Sequence, residues 1–163
     1  MLFLSVRFLH VISAMWFIGG ILARQIVRAY AKRTEDVHRF ATLSEAAGRI
    51  ETTMVIPGNM AVIIFGVILA LIIKAPILGF LQGADRNWLL VSNLLLVIGF
   101  LSVPLIFLPR GKKYAVALED ALAKGQMTPE LRLHLEDPVV KAAHWYELIS
   151  MPVIVFLMVF KPF

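Results

Sequence analysis

Four long apolar runs dominate the chain, at roughly residues 2–23, 53–73, 88–108 and 143–160, with polar and charged stretches between them. Each is close to the ~20 helical residues that cross a ~30 Å hydrocarbon layer at ~1.5 Å per residue. Backbone N–H and C=O groups in lipid must be satisfied within the segment, so helix is the expected form. A water-soluble four-helix bundle would carry a polar stripe along every helix. Here the second and third runs hold only Asn, Ser and Thr as polar residues in their interiors. The pattern therefore predicts an all-α fold, an integral membrane four-helix bundle forming one domain over residues 1–163.

The connections carry structure of their own. Residues 24–50 contain few helix breakers and are expected to continue the first helix before an amphipathic second piece. Within 110–141, Gly125 separates a helical run at 114–124 from a second that Thr128-Pro129-Glu130 opens. Thr128 has the side chain of a cap, and Pro129 suits the first turn. Pro138 then reads as the entry to the last span. Short amphipathic helices are thus expected in the cytoplasmic connections.

Charge sets the orientation. Twelve of the sixteen Lys and Arg residues lie in the first and third connections. The positive-inside rule then puts those connections in the cytoplasm and both termini outside. Trp88 and Trp145 fall at opposite interfaces, where amphipathic rings are favoured. The composition agrees with lipid as the solvent: 60% hydrophobic residues and 17% charged, with mean hydropathy +0.82. Soluble domains sit nearer half and a quarter. The net charge of +5 would suggest nucleic acid in a soluble protein. Topology accounts for these basic residues, which are interleaved with Glu35, Asp36, Glu45, Glu119 and Asp120, so no nucleic-acid partner is expected. With no Cys, disulfides, C-x-x-C-H haem attachment and thiolate metal sites are excluded. The first run has no basic region before it and no A-x-A-like site after it, and reads as a mature helix.

Polar groups inside a span are costly and direct attention to function. At 100° per residue, Arg7, His10, Ala14, Phe17, Ile21, Arg24 and Arg28 share one face of the first helix. His10 is expected about 12 Å below the outer boundary. A neutral imidazole there can ligate haem iron or copper, relay protons, or simply hydrogen-bond a neighbouring helix. Arg7, one turn outward, can pair with an anionic group or snorkel to headgroups. Ser92 and Asn93 lie at similar depth on the third helix and are expected neighbours of His10. Together these four form an outer polar layer.

An inner layer gathers Arg24, Glu51, Asn59, His144 and Glu147. Pro57 removes a hydrogen bond to the carbonyl of Thr53 and is expected to bend the second helix. Gly58 allows close approach, and Gly66 with Ala70 reads as a small-residue packing pair. Met54, Met60 and Met151 reach similar inner depths, as soft ligands or as adaptable packing. His10 and His144 fall about 20 Å apart along the membrane normal and so cannot share one iron.

The stretch Arg7-Phe-Leu-His10-Val-Ile-Ser-Ala-Met-Trp16-Phe-Ile-Gly19-Gly20 resembles the opening helix of a bacterial membrane superfamily. It includes CopD-like copper-resistance proteins, HemJ-like protoporphyrinogen oxidases and the DUF2269 family of predicted integral membrane proteins, which the chain resembles most. Trp88-Leu-Leu-Val-Ser-Asn93, Leu108-Pro109-Arg110-Gly111 and the ending Leu157-Met158-Val159-Phe160-Lys161-Pro162-Phe163 extend the resemblance over essentially the whole chain. It implies a bacterial cytoplasmic (inner) membrane location. It also implies haem b binding at the position of His10. The third-helix lysine associated with that site in HemJ-like enzymes is absent, and Ser92 and Asn93 stand in that region. A dense His/Met cluster of the copper-transport type is absent as well.

Three functions follow as expectations, and whether the chain is an enzyme stays open among them. The first is a bundle holding haem b through His10, serving membrane redox chemistry or a respiratory assembly. The second is movement of copper or another small solute past Pro57-Gly58-Asn59. The third is an accessory subunit that meets other membrane subunits, or its own copies, through Gly19, Gly20, Gly58 and Gly66. In each, the bilayer is the constant partner.

Overall fold

The computed structural model describes all 163 residues, and every regular element is helical. Helix α1 spans Leu2–Ala31, about 45 Å at 1.5 Å per residue. It therefore runs well past a ~30 Å hydrocarbon layer, as the breaker-poor sequence after residue 23 leads one to expect. A short turn ends at Asp36, whose side chain accepts from the backbone N–H groups of His38 and Arg39 and so caps α2, Val37–Ile50. Those two donors hold the Asp36 carboxyl below the usual carboxylate range.

Helix α2 passes without a break through a wide π-helical turn, Glu51–Val55, into α3, Ile56–Ile72. The turn stands immediately before Pro57, which has no N–H to give the carbonyl of Thr53. The N–H of Ile56 reaches back to Glu51 O instead. The same arrangement recurs in the second half. Helix α4, Trp88–Ser102, meets a π-helical turn at Val103–Phe107 just before Pro109, and continues as α5, Leu108–Lys124. Gly125, with φ +67°, stops α5 in the left-handed conformation that glycine adopts freely. Thr128 accepts from Leu131 N–H at 3.2 Å and caps α6, Pro129–Leu135. Asp137 caps α7, Pro138–Phe160.

Four helical rods, Leu2–Ala31, Val37–Ile72, Trp88–Lys124 and Pro129–Phe160, are long and apolar enough to cross a membrane. Helix α1 packs along α3 and also along α2, while α4 packs along α7. Much of the surface on these rods is large apolar side chain, such as Leu71, Leu105 and Val159, which suits lipid as the surrounding solvent.

The best-buried apolar cluster lies beyond the spans, on the side of the long connections. Phe40 of α2 and Leu131 of α6 are fully enclosed there with Val37, Ala117 and Ala121. Burial of a Phe or Leu side chain contributes about 1.5–3 kcal/mol each, and Tyr114 Oη donates to Ser44 Oγ across the same cap at 3.0 Å. At the opposite end, the backbone oxygen of Phe163 accepts from the N–H groups of Asn87 and Trp88 at 3.0 and 3.1 Å. This contact ties the end of α7 to the start of α4.

Candidate functional site

Helices α1 and α3 run antiparallel at unusually close range, because glycines stand where they cross. A Cβ on Gly20 would come within 2.7 Å of Met54 Cβ, and one on Gly58 within 3.0 Å of the Phe17 Cα. This approach carries Arg24 of α1 to the level of Glu51 at the wide turn. Arg24 is only 2% exposed. Its Nη1 donates to Glu51 Oε2, and its Nη2 donates to Glu147 Oε2 of α7 at 2.5 Å.

The set extends one turn further. Arg28 Nη1 donates to His144 Nε2 at 2.5 Å, and His144 Nδ1 donates to Glu147 Oε2 at 3.1 Å. Accepting at Nε2 fixes His144 as the neutral tautomer with its proton on Nδ1. Phe107 stacks on the imidazole, ring centroids 4.8 Å apart. Arg28, His144, Glu147, Arg24 and Glu51 therefore form one continuous chain of hydrogen bonds across three rods. Two cations face two anions, so the buried set is charge-balanced, which is the condition for holding ions away from water. Inner polar-layer residues Arg24, Glu51, His144 and Glu147 meet in it, while Arg28 is a member that depth alone did not single out. Its signal was its place four residues from Arg24 on the same helical face.

Asn59, the fifth residue of that inner layer, stands apart. Its Oδ1 is buried without a hydrogen bond, as are Gln25 Nε2 and Arg24 Nε.

The outer layer is less connected. His10 Nδ1 lies 3.1 Å from Val62 O of α3. Since a carbonyl only accepts, Nδ1 carries the proton and the Nε2 lone pair is left over. Gly66 makes room for the ring: a Cβ there would lie 3.1 Å from His10 Cε1. Gly66 thus seats an imidazole in addition to any pairing with Ala70. Arg7 is exposed. Ser92 and Asn93 do not join His10. Ser92 Oγ donates to Trp88 O at 2.8 Å within its own helix, and Asn93 Nδ2 donates to Ile77 O at 3.2 Å.

The methionines divide by environment. Met54 fits against Gly20, Met151 packs on the cluster of Phe17, Ile21 and Val55, and Met60 is half exposed. No group of three or more His, Cys, Asp or Glu side chains is arranged to hold a metal ion.

Comparison with known proteins gives one match. The model of the family described as "Predicted integral membrane protein (DUF2269)" matches residues 4–162. No curated protein and no solved structure matches the chain.

Proposed function

Because the chain belongs to this family of integral membrane proteins, whose description assigns no reaction, we propose that it is a membrane-embedded bundle that holds haem b through His10 and serves membrane redox chemistry or a respiratory assembly. The observation that carries this reading is the hydrogen bond from His10 Nδ1 to Val62 O. Metal-binding histidines commonly donate their other ring N–H to a backbone carbonyl, which fixes the tautomer and orients the free nitrogen. His10 has that arrangement inside a span, where an ionisable side chain is expensive to keep.

Haem would be held here through one histidine. His10 offers Nε2, and Arg7, one turn outward and without an ion-pair partner among the chain's acidic residues, suits a propionate. Ser92 and Asn93 take no part, since both are bonded elsewhere. Haem, when bound, supplies one-electron redox chemistry. The chain's own contribution is to fix the imidazole against α3. Lys and Arg concentrated in the long connections support placing these in the cytoplasm, both termini outside, in a bacterial cytoplasmic membrane.

The visible spectrum of protein purified in detergent with haem available tests the reading. A Soret band lost in His10→Ala is expected. A colourless protein, or a band indifferent to His10→Ala, overturns it.

Movement of copper or another small solute is the second reading, favoured by the unbonded, buried Oδ1 of Asn59 beside Pro57 and Gly58. Uptake and metal content that fall in Asn59→Leu support it, and unchanged values count against it.

A further inference from the structure

A two-part groove lies on the surface of α1 and α2 where the first rod leaves the hydrocarbon. Its smaller part, about 170 Å³, is lined by Ile26, Ala29, Tyr30 and Arg33. The adjoining part, about 380 Å³, is lined by Tyr30, Arg33, Thr34, Glu35, Arg39 and Leu43. Tyr30 and Arg33 line both parts. Arg33 borders the same hollow as Ile26, seven residues earlier in the chain.

The groove changes character along its length. At the membrane end are Ile26 and Ala29 with the exposed ring of Tyr30, the kind of amphipathic side chain enriched at headgroup level. At the far end the charges do not cancel. Glu35 is occupied by Arg132, whereas Arg33 and Arg39 have no carboxylate partner. The nearby Asp36 carboxylate is engaged by backbone N–H groups. Thr34 Oγ1 accepts from Asp36 N–H at 3.4 Å and keeps its own proton to donate. Two unpaired guanidinium groups and a free hydroxyl above an apolar trough match a phosphate joined to a hydrocarbon chain. Guanidinium binds phosphate oxygens through paired N–H groups, and basic pockets at the inner face of membrane helices hold anionic headgroups.

We propose that this groove binds an anionic phospholipid, its phosphate held by Arg33 and Arg39 and an acyl chain lying along Ile26, Ala29 and Tyr30. The site is distinct from the His10 region and from the buried charge network, and stands whether or not haem binds.

The test uses the full chain in neutral detergent, with lipid binding followed by native mass spectrometry and thermal melting. Phosphatidylglycerol is expected to bind and raise the melting temperature, and phosphatidylcholine to do so much less. Arg33→Gln with Arg39→Gln, both at exposed positions, is expected to weaken phosphatidylglycerol binding by about tenfold or more, following the loss of two surface cations. Arg49→Gln, whose guanidinium is paired with Glu45, is expected to leave it unchanged. Melting of the double variant without lipid checks that it folds. Equal binding of the two lipids, or undiminished phosphatidylglycerol binding by the folded double variant, overturns the proposal. So does an equal thermal shift from inorganic phosphate alone, which would make the groove a site for free phosphate.

Discussion

The indole Nε1 of Trp16 donates to the carbonyl of Thr53 at 3.4 Å, the very carbonyl that Pro57 leaves without its α-helical donor. A proline within a span is tolerated when a neighbouring helix supplies the missing hydrogen bond. Here α1 supplies it to the wide turn before α3. Trp16→Phe is therefore expected to cost about 0.5–1 kcal/mol, the usual size of an interhelical hydrogen bond in a membrane. In a Pro57→Ala background, where residue 57 regains an N–H, the same substitution is expected to cost little. Equilibrium unfolding of the four variants in mixed detergent measures the difference, and equal costs in both backgrounds contradict the assignment.

Arg24 separates two carboxylates that would otherwise face one another. Removing one partner of a buried ion set leaves uncompensated charge and costs about 3–5 kcal/mol. Arg24→Met is expected near the lower end of that range, since the Glu51 side chain remains 31% exposed. Replacing all four charges, Arg24→Met and Arg28→Met with Glu51→Gln and Glu147→Gln, is expected to recover most of the loss. Arg24→Lys is expected to recover only part, because a single ammonium cannot present the same forked donors to two carboxylates. Unfolding midpoints in detergent check the ranking, and a quadruple variant no more stable than Arg24→Met alone contradicts it.

The glycines of α1 and α3 are not equivalent. Alanine at Gly20 or Gly58 meets the facing helix, where overpacking costs about 1–3 kcal/mol. Alanine at Gly19 meets nothing within 4 Å, and the improved helix propensity makes it neutral or stabilising by up to about 1 kcal/mol. Thermal melts of the three single variants test this order. A Gly19→Ala that destabilises in detergent as much as Gly58→Ala contradicts it.

Much of this architecture was legible because the bilayer leaves few choices. Run lengths mark the four rods, and the Thr128-Pro129 pair marks where α6 begins. Depth along the membrane normal grouped Arg24, Glu51, His144 and Glu147, since helices at fixed rise bring equal depths to one level. Depth does not say which helices are neighbours. Ser92 and Asn93 share a level with His10, yet α4 packs on α7 while α1 packs on α3, so they bond within their own half. Gly66 showed the same limit: its small size was evident in the sequence, but the imidazole resting on it depends on how α1 crosses α3. The apolar cap around Phe40 and Leu131 was obscured for another reason. Its residues are scattered through basic connections whose charge signalled topology rather than burial.

All of these contacts require the long basic connections to share one side of the membrane and the short second connection to lie on the other. The chain contains no Cys, so single introduced cysteines report sidedness without background. Labelling intact cells or oriented vesicles with an impermeant maleimide is the most direct test. Asp85→Cys is expected to react from one face, and Glu45→Cys and Gln126→Cys only from the opposite face. Labelling of Asp85→Cys and Gln126→Cys from the same face would contradict the four-span bundle.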